Sequence, residues 1–184
     1  MARPLRIQYP GAVYHVTVRG NERKAIFRDD ADRRMFCTLL SRSLQIYSVT
    51  LHSYVLMDNH FHLLLDTPLG NLGEFMRQFN ISYTGSFNRR HSRAGHLYQG
   101  RYKSLLVDKD AYLSVLSRYI HLNPIRTKAM AKRTDAEKKR FLLEYHWSSL
   151  PGYFEQGKKE QMVTYRFVLG EYGGESKEGR AAYR

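Results

Sequence analysis

The chain has 184 residues, 42% of them hydrophobic, and 30 Lys and Arg against 17 Asp and Glu, for a formal net charge of +13. That length suits one domain with a genuine core plus appendages, and the charge makes a polyanion, nucleic acid first, the expected partner. Cys37 is the only cysteine, which excludes an internal disulfide or a cysteine zinc cluster and suits a reducing cytosol. A basic ribosomal-type or membrane-surface protein would share the charge, but no apolar run approaches the roughly 20 residues of a membrane span and no secretory signal opens the chain. The expected setting is cytoplasmic, with no membrane partner.

Residues 13–19 read as a first strand, with Tyr14, Val16 and Val18 toward the core and His15, Thr17 and Arg19 on an open face. Arg23, Lys24 and Arg28 follow in a loop, as solvated charge or as phosphate contacts. Residues 30–45 have helical spacing, with Met35, Phe36, Leu39, Leu40 and Leu44 as the buried stripe and Cys37 a small apolar group within it. Residues 49–57 form a second strand, Asp58-Asn59 a tight turn, and the third strand starts at His60. Along that strand His60 and His62 share a face, about 7 Å apart, while Phe61, Leu63 and Leu65 take the other. The two imidazoles are either ordinary surface histidines or a ligand pair for one cation. If the first strand lies beside them, His15 comes close, as a hydrogen-bonding partner or as a ligand.

A second helix follows over residues 72–89, with Phe75, Phe79 and Tyr83 along one side. Between Phe75 and Val107 there is no Asp or Glu, while Arg77, Arg89, Arg90, Arg93, Arg101 and Lys103 all fall inside. Phe87, Tyr98 and Tyr102 interleave with these cations, a mixture that suits unpaired nucleic acid unless the rings are core. Residues 89–99 read as a loop that stays mobile until it meets its ligand, and residues 100–107 as a fourth strand holding Arg101 and Lys103 on one face. Tyr112, Val115, Leu116, Tyr119 and Ile120 then follow helical spacing, with Asp110 able to cap the start and Pro124 ending the helix near Asn123. Tyr119 and Asn123 are one turn apart on one face, where a phenol and an amide oxygen could meet the two histidines. Beyond Pro124 comes a basic run from Arg126 to Arg140, then Trp147 docked on the body. After Gly170 glycine and charge dominate, so the tail is expected to be loosely ordered.

The order strand, helix, strand, strand, helix, strand gives an α+β fold. It is a ferredoxin-like or RRM-like antiparallel sheet with helices on one face, plus an added tyrosine-bearing helix. The domain is expected over residues 1–153, with a C-terminal extension over 154–184. Such a fold hosts many functions, so a non-catalytic RRM-like hairpin-binding module is one reading.

Four stretches carry a resemblance: Asp58-Asn59-His60-Phe61-His62; Arg118-Tyr119-Ile120-His121-Leu122-Asn123-Pro124-Ile125-Arg126; Gly11-Ala12-Val13-Tyr14-His15-Val16-Thr17-Val18-Arg19-Gly20-Asn21; and His146-Trp147-Ser148-Ser149. In this order they resemble the HUH tyrosine transposases, above all the branch called REP-associated tyrosine transposases, over roughly residues 3–153. One departure is His121, where members of the family often carry Glu. The resemblance implies a metal-dependent endonuclease and strand-transferase acting on single-stranded DNA beside DNA hairpins, as a monomer or a dimer. Tyr119 would attack a phosphodiester, leaving a 5′-phosphotyrosine and a free 3′-OH. His60, His62 and Asn123 would hold Mg2+ or Mn2+, since two nitrogens, one amide oxygen and open positions suit these ions better than a closed zinc site. Arg19, Arg89, Arg93, Arg101, Lys103 and Arg126 are the expected DNA contacts. A replication-initiator or relaxase type of HUH nuclease, and a retired transposase that only binds hairpins, are the other members of that class.

Overall fold

Four strands pair antiparallel in the order β2-β3-β1-β4 in a computed structural model, which describes residues 7–184 and only the backbone at 109–111. They are β1 (Ala12–Arg19), β2 (Thr50–Met57), β3 (His60–Thr67) and β4 (Lys103–Val107). Two helices, α1 (Asp30–Ile46) and α2 (Leu72–Arg90), make the crossovers of the expected ferredoxin-like arrangement. Alternation places Phe61, Leu63 and Leu65 of β3 and Tyr14, Val16 and Val18 of β1 on the face these helices cover. Phe36 of α1 meets Phe61 at 4.8 Å and Phe79 of α2 at 4.9 Å between ring centroids, both edge-on. Cys37 packs beside this core, and burial pushes its thiol up to about 12.

The two helices are tied together where α1 begins and α2 ends. Asp29 caps α1, its Oδ1 accepting from the Asp32 amide at 3.0 Å. Asp32, fully buried, accepts from the Arg28 amide, from Arg90 and from His91. Arg90 also reaches Asp29 at 2.6 Å. A buried carboxylate with that many donors is satisfied; without Arg90 it would lose its permanently charged partner, which is destabilising for a buried charge.

The opposite face of the sheet is only half open. Helix α3 (Lys109–His121) lies against β2 and β3 there. Its buried side is Leu113, Ser114, Ser117, Ile120 and His121. The expected stripe of Tyr112, Val115, Leu116, Tyr119 and Ile120 is therefore rotated: Tyr112 and Val115 are each 61% exposed. Polar residues replace the apolar stripe because they are bonded. Ser117 Oγ lies 2.7 Å from Ser53 Oγ of β2 and 2.8 Å from Tyr183 Oη. His121 shares a hydrogen bond with Tyr183 Oη at 2.8 Å and another with Ser149 Oγ at 2.8 Å. The proposed cap Asp110 lies outside the described side chains.

The remaining helices are α4 (Asp135–Glu144), α5 (Leu150–Phe154), α6 (Arg166–Gly170) and α7 (Lys177–Tyr183). The segment after residue 153 is not a loose appendage. Thr164 donates to the Leu51 carbonyl at 2.8 Å and Val163 bridges Leu51, so the extension covers the free edge of β2. Past Gly170 the chain forms α7, whose Tyr183 stacks on Tyr153 at 4.7 Å. Glycine and charge concealed this because the element docks through only Tyr183 and a buried Arg180 that donates to the Gly152 carbonyl. The loop before β4 is likewise tied down: Asn21 donates to the Leu97 carbonyl and Gln99 to that of Arg19. Phe87 and Tyr102 are buried in the core and Tyr98 packs against it, so their rings are engaged with the protein and not set out as base-stacking platforms.

Removing the Tyr183 hydroxyl leaves Ser117 and His121 each short of a partner. Tyr183→Phe should therefore lower unfolding stability by about 1–3 kcal/mol in a urea titration. Burial also pushes His121 down to about 3, whereas an unfolded histidine takes up its proton near pH 6.5. Between those limits the unfolded chain binds the extra proton, so stability is complete above about pH 6.5 and declines as pH falls. The His121 share of that decline approaches about 1.4 kcal/mol per pH unit. His121→Gln keeps hydrogen-bonding groups without titrating and should make the pH dependence of urea unfolding shallower by about one proton. An unchanged slope would rule out a buried neutral imidazole.

Candidate active site

The open half of the sheet is built by register. β1 and β3 pair so that Thr17 faces His62 and Arg19 faces His60, which puts His15, Thr17, Arg19, His60 and His62 on one face. His15 Nε2 lies 2.8 Å from His62 Nδ1, with the rings stacked at 5.1 Å, and Thr17 Oγ1 lies 3.1 Å from the same Nδ1. His60 leans edge-on against His62 at 5.2 Å.

The turn before His60 sets its tautomer. Asn59 donates from Nδ2 to the Arg23 carbonyl at 2.8 Å, so its Oδ1 faces His60 Nδ1, 2.7 Å away. An amide oxygen only accepts, so Nδ1 carries the proton and Nε2 keeps its lone pair. The turn is held in place by Arg33 on Asp58 at 2.6 Å and by the Gly20 amide on the Asn59 carbonyl at 2.8 Å. A Cβ at Gly20 would collide with the Lys24 carbonyl, so only glycine fits there.

Burial keeps all three imidazoles neutral. His60 is pushed down to about 4 by burial and then by Arg19. His62 is pushed down to about 3 by burial, with His15, His60 and Arg19 adding to it, and His15 is lowered by burial alone. Neutral rings with bonded Nδ1 atoms have the chemistry of nitrogen ligands. Among the described residues no group of three or more His, Cys, Asp or Glu side chains is placed to hold a metal. A cation at His60 and His62 would need oxygen ligands from elsewhere.

Tyr119 comes to this face from the last turn of α3. Its ring stands edge-on to His15 at 6.0 Å and to His62 at 6.2 Å, and it is 38% exposed. Asn123 donates from Nδ2 to the Tyr119 carbonyl at 2.9 Å and to that of Ile120 at 3.2 Å, capping the helix. Its Oδ1 is thereby turned away from the helix. Arg126 lays its guanidinium over the Tyr119 ring, 4.7 Å from the centroid. His121, the departure from Glu, points the other way, into the buried network.

The expected DNA contacts separate into two groups. Arg19, Arg101 and Lys103 line one cavity of about 290 Å3 with Thr17 and Gln99, next to the histidines. Arg101 precedes β4, which is shorter than expected. Arg89 is exposed on α2, which covers the other face of the sheet. Arg93 is spent on its own loop, donating to Asn88 Oδ1 at 2.8 Å and to the His96 carbonyl at 2.7 Å. Its place in an acid-free run concealed that bonding. Of the basic run past Pro124, Lys138 and Arg140 pair with Asp135 and Glu144 along α4. Thr17 and Asn59 are site residues that residue type alone did not single out; the signal for Asn59 was a hairpin amide directly before a histidine.

No curated protein matches the chain in sequence. Among solved structures, a REP-associated tyrosine transposase bound to a REP hairpin superposes with a TM-score of 0.66 at 14% identity, over 89% of this chain and 92% of that one. A transposase structure from Deinococcus radiodurans, described as putative, reaches 0.46 at 17% identity over 65% and 95%. A tRNA(His) guanylyltransferase from Saccharomyces cerevisiae reaches 0.41 at 13% identity over 90% and 86%. The last two are too distant to argue from. A family profile described as "Transposase IS200 like" matches residues 8–123, from just ahead of β1 through Asn123. With the histidine pair and the tyrosine helix both inside that span, the chain belongs to the IS200-like transposases, enzymes that cleave and rejoin DNA.

Proposed function

We propose that the protein is a metal-dependent, single-strand DNA endonuclease and strand-transferase of the REP-associated kind, cleaving beside DNA hairpins through a 5′-phosphotyrosine. The observation that carries this is the Tyr119 phenol set edge-on to His15 and His62, with His60 beside them. The hairpin partner is supported by the solved structure that shares this fold, which holds a REP hairpin. His60 and His62 would hold Mg2+ or Mn2+ through Nε2, with Asn123 Oδ1 as a third ligand. When bound, such an ion polarises the scissile phosphate and offsets the charge that builds on its oxygens.

The chain's own residues do the rest. Tyr119 Oη forms the new P–O bond as the P–O3′ bond breaks; the phenol gives up its proton and the departing 3′ oxygen takes one up. One phosphodiester replaces another, so the step reverses without an external energy source. Arg19, Arg101, Lys103 and Arg126 bind the strand's phosphates as point charges and forks beside the cleavage position.

The test is a 5′-labelled hairpin oligonucleotide with Mn2+, read as a denaturation-resistant protein–DNA adduct. Tyr119→Phe loses only a hydroxyl, so it should bind the hairpin as the wild type does and form no adduct. An adduct from that variant would transfer the nucleophile to Tyr112, and none from the wild type would favour an RRM-like binding module. The phosphate contacts answer to salt. Arg101→Ala should weaken all DNA alike and flatten the plot of log affinity against log salt by about 0.7. An unchanged slope would move the strand to the basic run after Pro124.

A further inference from the structure

Arg126 has more to do at this site than bind phosphate. Its guanidinium covers one face of the Tyr119 ring at 4.7 Å, while His15 and His62 meet the ring edge-on at 6.0 and 6.2 Å. The phenol ring is therefore flanked by an imidazole pair and a cation. Arg126 is brought there by a 3-10 turn, Asn123–Arg126, locked at both ends. Asn123 donates back to the Tyr119 and Ile120 carbonyls, Ile125 donates to the Leu122 carbonyl, and Thr127 Oγ1 donates to that of Pro124. Pro124, buried in this turn, removes the freedom that would let it unwind. The chain thus fixes, seven residues on, a cation over its own tyrosine.

A guanidinium stacked on a ring uses its flat face for the ring and keeps its N–H groups in the plane, directed outward. Among the described residues Arg126 has no carboxylate partner, so those donors are uncommitted. One side chain can then hold the phenol by its face and a phosphate by its edge.

We infer that Arg126 is a positioning residue for the nucleophile. It clamps the Tyr119 ring over the histidine pair and ties that placement to the phosphate the ring will attack. The inference rests on Tyr119 being the nucleophile. Without the clamp, a phenol that is more than one-third exposed can rotate away from its in-line position, and small misplacements of a reacting group cost large factors in rate.

The experiment is single-turnover adduct formation with Mn2+ and saturating hairpin DNA, for wild type, Arg126→Ala, Arg126→Gln and Arg126→Lys, beside hairpin affinity and its salt slope. Arg126→Ala should lower the rate constant at saturation on the order of 10-fold. Arg126→Gln should fall with it, and Arg126→Lys, which keeps a cation over the ring, should recover part. If both neutral variants match the wild-type rate at saturation and only affinity and salt slope drop, Arg126 is a phosphate contact alone and the inference is overturned. A second readout needs neither DNA nor metal. In protein with 13C-labelled tyrosine, the Tyr119 ring signal is the one lost in Tyr119→Phe. It should shift in Arg126→Ala and Arg126→Gln, and a signal that stays put overturns the clamp. If the wild type forms no adduct at all, the nucleophile assignment is what fails, and the ring signal still decides whether Arg126 holds Tyr119.

Discussion

The position of the tyrosine helix rests on a chain of buried hydroxyls and one imidazole: Ser53, Ser117, Tyr183, His121 and Ser149. A sheet face that also binds a ligand cannot be sealed by a broad apolar helix, because the same surface must stay partly wet. Here the helix is held instead by directional bonds, which set its rotation as well as its distance. A hydroxyl network in a low-dielectric interior tolerates few arrangements, since every unbonded member carries the full penalty of its lost hydration. That constraint turns Tyr119 toward His15 and His62 rather than into the core.

Much of the fold was legible from period alone. Alternation in β1 and β3 told which residues face the helices and placed the histidines on the other side. Helical spacing located α1 and α2 to within one residue at their ends. The face of α3 was misread because periodicity counts apolar residues, whereas this helix buries Ser117 and His121 and leaves Tyr112 and Val115 in water. The tail was misread for a related reason: composition averages over many residues, and α7 is docked by Tyr183. At the site, His60 and His62 share a face by alternation, and Tyr119 reaches His62 from α3, a meeting that spacing alone left open. The tautomer of His60 depends on its neighbour Asn59, while that of His62 depends on His15 and Thr17, a relation between strands that a linear reading does not expose.

Charge is distributed by the same logic. Asp29, Asp32 and Asp58 are each committed to Arg90, His91 or Arg33 around α1 and the hairpin turn. Among the described residues, Arg19, Arg101, Lys103 and Arg126 carry no ion pair. These four cations are thus free to meet an anionic strand on the face that holds the tyrosine, where neutral imidazoles add no repulsion of their own toward a cation.

The docking of α7 behind α3 also has a consequence in time. Ser117 and His121 are made early, and their shared partner Tyr183 follows more than sixty residues later in the chain. On a ribosome, Tyr119 therefore emerges well before Tyr183. A half-made chain carries Tyr119 on a helix whose Ser117 and His121 still lack the hydroxyl they share. The bonds that fix the rotation of α3 are therefore complete only once α7 has been made and docked.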